Sequence, residues 1–241
     1  MITYCTYSNI GGRAVNEDSF KAVDIGDKKL FVVADGLGGH GKGEVASALV
    51  TKVMESLFDE KSKIKNFLEP AVAAAQDILI NEQRKMNAAD QMKTTVVALM
   101  IDKKEARWIH CGDSRAYRFE NNQVAERTLD HSIPQMLVLT KDIKEEEIRY
   151  HSERNIVLNV MGTKWEEPQY EQGKVLKLKK CQAFLLCTDG FWELITENYM
   201  EKFLKESSSV DEWMQKMVEV VNENGIGKNM DNNTAIAVWC K

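Results

Sequence analysis

The sequence predicts an α+β fold built on antiparallel strands, and two observations predict it. Four apolar stretches, Thr94–Ile101, Ala106–Cys111, Ser114–Phe119 and Val124–Thr128, follow one another through short polar turns. A parallel connection needs a crossover of about a dozen residues or more, so strands this close must pair antiparallel, as a meander. The stretches with apolar residues at helical spacing lie outside this run, at 44–58, 67–87 and 210–221, rather than alternating with its strands.

In chain order, residues 2–7 alternate weakly and form a first strand. The polar segment Gly11-Gly12-Arg13-Ala14-Val15-Asn16-Glu17-Asp18-Ser19 leads into a second, Phe20–Val23. Leu30–Ala34 is a short apolar, β-branched run that reads as a buried strand, and it stops abruptly at Asp35-Gly36. Residues 44–58 place Val45, Leu49, Val53 and Leu57 on one stripe, and 67–87 repeat the pattern with Leu68, Val72, Ala75, Ile78 and Leu79. Thr94–Ile101 is apolar on both faces, as a strand buried on both sides must be. Residues 130–172 change character. They are charged and poor in aromatic core, with helices expected at Ser132–Val138 and Lys144–His151. They read as an inserted, mobile subdomain within a single domain spanning 1–241. Ala183–Cys187 is again a strand ending in acid and glycine, Asp189-Gly190. A helix at Val210–Val221 and a last strand, Thr234–Trp239, preceded by Asp231-Asn232-Asn233, close the chain.

The 241 residues give ample length for a core, with 44% hydrophobic and 29% charged residues. A net charge of −5 argues against nucleic acid as a partner. No window is apolar for long enough to span a membrane, and the N-terminus lacks the basic-then-apolar layout of a signal peptide. The five cysteines form no C-x-x-C pair, which fits inert thiols in a reducing cytoplasm. The four histidines are scattered and suggest no zinc site.

Gly36, Gly38 and Gly41 match G-x-G-x-x-G, and Gly36, Gly41 and Lys42 match a P-loop up to its last position, where Gly43 replaces the hydroxyl residue. Both readings weaken. Without that hydroxyl a magnesium ligand is missing, Asp35 would face the phosphates with the wrong charge, and both folds need parallel strands. His110-Cys111 and Arg118 resemble the H-C-x5-R loop of thiol phosphatases, but six residues intervene and Asp113 would repel phosphate.

Asp35, Asp113, Asp189 and Asp231 share one placement, a strand edge beside Gly, Ser or Asn. Carboxylates converging at one pole cannot all ionise without cations. Hard oxygen ligands suit Mg²⁺ or Mn²⁺ rather than Zn²⁺. Two such ions about 3.5–4 Å apart can activate a water, and the fork of Arg13 suits a phosphate. Spacing alone leaves two readings open: metal-assisted hydrolysis of a phosphate ester, or acids scattered over unrelated turns.

The ordered set Arg13-x-x-Asn16-Glu17-Asp18-Ser19, Asp35-Gly36-x-Gly38-Gly39-His40, Thr94-Thr95, Gly112-Asp113-Ser114-Arg115, Asp189-Gly190-x-Trp192 and Asp231-Asn232 resembles the metal-dependent Ser/Thr protein phosphatases of type 2C. Asp130-His131-Ser132 and the stretch from Glu145 to Asn155 resemble their bacterial branch. The resemblance covers essentially the whole chain. It implies a central antiparallel β-sandwich flanked by pairs of helices, a four-layer αββα arrangement, with residues 130–172 as a small flap beside the cleft. It also implies roles. Asp35 would bridge two ions of Mg²⁺ or Mn²⁺, the Gly36 carbonyl would bind one, and Asp189 and Asp231 would complete the second. Asp113 with Asp189 would hold a third, weaker ion. Glu17 and Asp18 would hold the ions' waters, Arg13 would grip the phosphate, and hydroxide would attack phosphorus in line without a phosphoenzyme.

Two departures stand out. Where eukaryotic members carry the proposed general-acid histidine after Asp-Gly, this chain has Leu37. His40, three residues on, is the candidate donor, with a water as the alternative. Lys93 stands where glycine usually precedes Thr94-Thr95. The implied partners are phosphorylated Ser/Thr proteins and an opposing Ser/Thr kinase, for a cytoplasmic monomer with no membrane contact. The rival from another class is a catalytically inactive relative that binds phosphoproteins. Such a protein usually lacks metal acids that are all present here.

Overall fold

A computed structural model of the chain describes residues 1–37, 42–89 and 91–240, with residue 180 described in its backbone alone. Its elements in order are β1 (Ile2–Asn9), β2 (Asp18–Ile25), β3 (Lys28–Leu37), α1 (Gly43–Leu57), α2 (Leu68–Met86), β4 (Lys93–Thr94), β5 (Val96–Asp102), β6 (Glu105–Cys111), β7 (Arg115–Glu120), β8 (Gln123–Arg127), α3 (Ile133–Leu139), β9 (Glu171–Gln172), β10 (Leu176–Lys177), β11 (Ala183–Cys187), α4 (Asp189–Trp192), α5 (Glu197–Glu206), α6 (Val210–Gly225) and β12 (Asn233–Cys240). One sheet runs β1-β12-β11-β7-β8. The other runs β10-β6-β5-β3-β2, with β4 on β3 and β9 on β6. Each of these strand pairs is antiparallel.

Strand alternation builds the layers. On β3, Leu30 and Val32 face α1 and α2, packing with Val50, Met54, Leu68 and Leu79. Phe31 and Val33 point the other way and meet Phe184, Leu186, Ile236 and Val238 of the facing sheet. That sheet turns Tyr117, Phe119, Leu185 and Ala237 outward onto Trp213, Met217 and Val221 of α6 and Met200 and Leu204 of α5. Each fully buried side chain of this size contributes about 1.5–3 kcal/mol. The result is the four-layer αββα sandwich.

The meander expected over 94–128 is instead two hairpins in two sheets. β5–β6 belongs to one sheet and β7–β8 to the other, and the chain crosses between them at Gly112-Asp113-Ser114. Gly112 has φ of +109°, and a Cβ there would lie 2.6 Å from the Thr95 side chain, so only glycine allows the crossing. The helix expected at Lys144–His151 is a six-residue 3₁₀ turn, Glu145–Tyr150, that buries only Ile148 and Arg149. Three adjacent glutamates and no apolar stripe leave an α-helix there without support. Two further helices lie outside the expected set: α4 is a single turn whose Asp189-Gly190 reads as a bend, while α5 carries Tyr199, Met200, Phe203 and Leu204 at a helical spacing that was passed over in the sequence. Among the described residues, no helix is long and apolar enough to cross a membrane.

Candidate metal centre

The centre forms where strands from both sheets end at one pole of the sandwich. Asp35, near the C-terminal end of β3, lies directly across from Asp18 at the start of β2. Like charges facing each other across a strand pair repel, so this register needs a compensating cation or a proton. Asp113 sits at the sheet crossing. Asp189 opens α4 straight after β11, and Asp231 precedes β12. Arg13, Glu17, Asp35, Gly36, Asp113, Asp189 and Asp231 line one cavity of about 610 Å³, joined by Leu37, Glu44, Asn155 and Val157. Asp18 lies behind this wall, buried.

Backbone contacts fix the ligand positions. The Asp35 carbonyl accepts from Thr95 N (2.8 Å) and Thr94 Oγ1 (2.7 Å), while its amide donates to Thr95 Oγ1 (2.9 Å). Thr95 Oγ1 is in turn 2.7 Å from Ser114 Oγ, which ties the Asp35 strand to the Asp113 crossing. Gly36 abuts the start of α1 so closely that a Cβ would stand 2.3 Å from the Gly43 carbonyl. Asn232 fastens the N-terminal loop. Its Oδ1 accepts the Glu17 amide (2.8 Å), and its Nδ2 donates to the carbonyls of Ile10 and Val15. Trp192 Nε1 donates to the Asp113 carbonyl at 3.0 Å.

The electrostatics are those of an uncompensated cluster. Burial first, then the charges of Asp18, Asp189 and Asp113, hold the Asp35 carboxyl well above the usual carboxylate range. Burial and Asp189 do the same to Asp113. Asp189 is raised by burial and Asp231, and it shares a hydrogen bond with Asp35. Burial pushes Asp18 up to about 7, against hydrogen bonds from Thr234 and Thr188. Glu17 is raised by burial and by Glu44. One oxygen each of Asp18, Asp189 and Glu44 is buried without a hydrogen-bond partner. Orphaned hard oxygens and mutually repelling carboxylates fit divalent cations such as Mg²⁺ or Mn²⁺.

Of the residues singled out from the sequence, the five proposed ligands, Glu17 and Arg13 all reach this cavity. Arg13 does not stand free: its Nη2 is 2.8 Å from Asp231 Oδ2, with both side chains nearly half exposed. His40 lies outside the described residues. Glu44 was missed, since an acid in the first turn of a helix reads as an ordinary partner of the helix dipole. Asn155 closed the stretch that resembles the bacterial branch but was given no role, and Val157 was singled out by nothing, because only tertiary folding brings it to the cleft. Ser132 and Val157 form one bridge, Thr94 and Met161 another, and these fasten that segment beside the centre.

The histidines, scattered in sequence, are not all scattered in space. The rings of His110 and His131 lie 4.6 Å apart near Glu171. His131 Nδ1 accepts the Gly112 amide (3.2 Å), so the neutral ring carries its proton on Nε2, 3.7 Å from Glu171 Oε1. His110 Nε2 lies 2.7 Å from the Leu129 carbonyl and must donate to it. Burial lowers both rings, His131 to about 4, so both are neutral at pH 7. The pair offers a cation one free lone pair rather than two, and it buttresses Gly112 beside Asp113.

A profile of the family described as protein phosphatase 2C matches residues 5–234. The chain is 29% identical over 231 residues to the serine/threonine phosphatase stp of Listeria welshimeri, covering 92% of this chain and 89% of that one. It superposes on the crystal structure of the serine/threonine phosphatase Stp1 of Staphylococcus aureus with a TM-score of 0.89 at 28% identity, over 100% of this chain and 96% of that one. It also matches the catalytic domain of the serine/threonine protein phosphatase PstP in complex with two manganese ions, with a TM-score of 0.81 at 26% identity, over 99% and 97% of the two chains.

Proposed function

The chain belongs to the protein phosphatase 2C family, and on that premise we propose how its cleft works. It is a metal-dependent serine/threonine protein phosphatase whose cofactor is Mg²⁺ or Mn²⁺. In this reading Asp35, the Gly36 carbonyl, Asp189 and Asp231 would hold two ions, and Asp113 with Asp189 would hold a third. Bound there, the ions supply Lewis acidity and a water of lowered pKa.

The protein's own part is positional. Arg13 releases Asp231 and closes its fork on two phosphate oxygens. Glu17 accepts hydrogen bonds from water in the cleft and orients it, whereas Asp18, expected to share that role, lies buried behind the wall opposite Asp35. No thiol or hydroxyl lines the described cleft wall, which supports in-line attack by water without a phosphoenzyme. Cys111, the nearest cysteine in sequence to Asp113, is held as a thiol by burial. His40 is the candidate proton donor, with water as the alternative. Residues 130–172 act as a flap within one domain, a reading supported by Asn155 and Val157 in the cleft wall. The substrates are phosphoproteins, and the protein works as a cytoplasmic monomer opposing a Ser/Thr kinase.

One observation carries this reading: carboxylates from both sheets converge on a cavity where Arg13 is the only cationic side chain among the described lining residues. The test is phosphate release from a phosphothreonine peptide in EDTA, Mg²⁺ or Mn²⁺, beside Asp35→Asn. Turnover that requires metal and vanishes in the variant is expected. Turnover in EDTA, or none under any metal from folded protein, would overturn it.

A further inference from the structure

At the pole opposite the carboxylates, the two sheets end in a second cavity of about 850 Å³. Its charged lining is Lys29, Lys103, Lys104, Lys177, Lys179 and a single carboxylate, Asp27. Lys29 is paired with Asp24 at 2.6 Å and Lys177 with Glu105. Among the described residues, Lys103, Lys104 and Lys179 make no ion pair, in a chain whose net charge is −5. Backbone bonds build the site: the Lys103 amide donates to the Asp27 carbonyl (3.0 Å), and the Leu178 amide to the Lys104 carbonyl (2.7 Å).

A second observation concerns the turn. Lys103 has φ of +57°, a left-handed conformation that glycine or asparagine adopts more readily. The neighbouring β2–β3 turn obeys that preference with Gly26 at φ +61°. Lys103 thus holds a turn position that glycine would fill at lower cost, as does Lys141 elsewhere in the fold at φ +67°.

We propose that this lysine cavity binds a phosphorylated peptide segment of the protein substrate, at a phosphoresidue other than the one being hydrolysed. Three unpaired ammonium groups around a concave site match one dianionic phosphate. They are too few for the six to ten phosphate contacts typical of duplex binding. The three lysines are exposed around the cavity rim, so phosphatidylserine vesicles are the control that separates a peptide from a lipid surface. β3 runs from Lys28 to Leu37, so the two poles lie about 30 Å apart at 3.3 Å per residue. A substrate bridging them needs phosphoresidues separated by about ten extended residues or more. The identity of the ligand rests on the phosphoprotein-phosphatase reading, whereas the anion site itself does not.

The test uses the full chain. In EDTA, anisotropy of a labelled phosphothreonine peptide should report binding that the unphosphorylated peptide lacks. Lys103→Ala/Lys104→Ala/Lys179→Ala should weaken it about tenfold. Lys103→Gly, which suits the turn, should keep or raise Tm and still weaken binding. With Mn²⁺, kcat/KM for a doubly phosphorylated peptide of adequate spacing should exceed that of the singly phosphorylated one, and the triple variant should abolish this advantage. Turnover of p-nitrophenyl phosphate should not change in that variant. Equal peptide binding by wild-type and triple-variant protein, or binding to phosphatidylserine vesicles without phosphopeptide binding, would overturn the proposal. Absent turnover on every substrate would sink the phosphatase reading and leave the EDTA measurement to decide this one.

Discussion

Two buried charge clusters flank Trp192, and they are built on opposite principles. On one side, Asp113, Asp189, Asp35 and Asp18 crowd together with no cationic side chain ion-paired to them among the described residues, and each carboxyl is raised by burial and by other acids. On the other, Arg115 is buried beneath the indole, 3.4 Å from its ring centroid, and grips Asp130 with two hydrogen bonds of 2.8 and 2.6 Å. Arg149 reaches the Glu197 carboxylate at 2.5 Å, and Tyr117 hydroxyl links the two arginine pairs. Asp113 and Asp130 are equally buried. Asp130 is matched by a guanidinium and Asp113 is not, and that difference separates an acid paired within the fold from one raised by its acidic neighbours.

The largest effect should follow from breaking the matched cluster. Arg115→Ala leaves Asp130 as an uncompensated buried charge and should cost about 3–5 kcal/mol in denaturant unfolding. Arg115→Met combined with Asp130→Leu should recover most of that loss. The unmatched cluster should respond with the opposite sign. Asp35→Asn removes repulsion, so in EDTA it should stabilise the protein by about 1–2 kcal/mol while abolishing metal-dependent turnover.

Acidity sharpens the contrast. The raised acids bind protons more tightly when folded, so their contribution is full below the unfolded pKa of about 4 and is lost as pH rises. For Asp18 the loss runs through a folded pKa of about 7. Melting in EDTA should therefore occur at higher temperature at pH 5 than at pH 8. Saturating Mn²⁺, which displaces those protons, should flatten or reverse the slope. At Glu197, burial opposes ionisation but Arg149 outweighs it and lowers the pKa. Its contribution is present above the unfolded value and fades only as pH falls below it. The smallest structural effect belongs to Arg13. Its half-exposed pair with Asp231 should be worth under about 1 kcal/mol. Arg13→Ala should chiefly raise KM about tenfold, and an unchanged KM with collapsed kcat would remove it from the phosphate-binding role.

Asp35, Asp113, Asp189 and Asp231 were legible as a group because each lies at a strand edge beside Gly, Ser or Asn, whereas Asp18, at the start of β2, entered only through the family resemblance. Period-two burial places such acids at strand ends without tertiary knowledge. Arg115, Asp130, Arg149 and Glu197 were opaque for the converse reason. They come from β7, a loop, a 3₁₀ turn and α5, and nothing local marks one as another's partner. The same limit hid Val157. The sheet crossing was also missed, since Gly112 between two apolar runs reads as an ordinary hairpin turn until its Cβ is seen to have no room beside Thr95.

The central claim is that the carboxylate pole is a cation site. Calorimetric titration of the EDTA-stripped protein with Mn²⁺, in two buffers of different ionisation enthalpy, tests it most directly. The account predicts binding with net proton release, lost or greatly weakened in Asp35→Asn and retained in Lys103→Ala. Absence of Mn²⁺ binding by folded wild-type protein, or equal binding by Asp35→Asn, would contradict it.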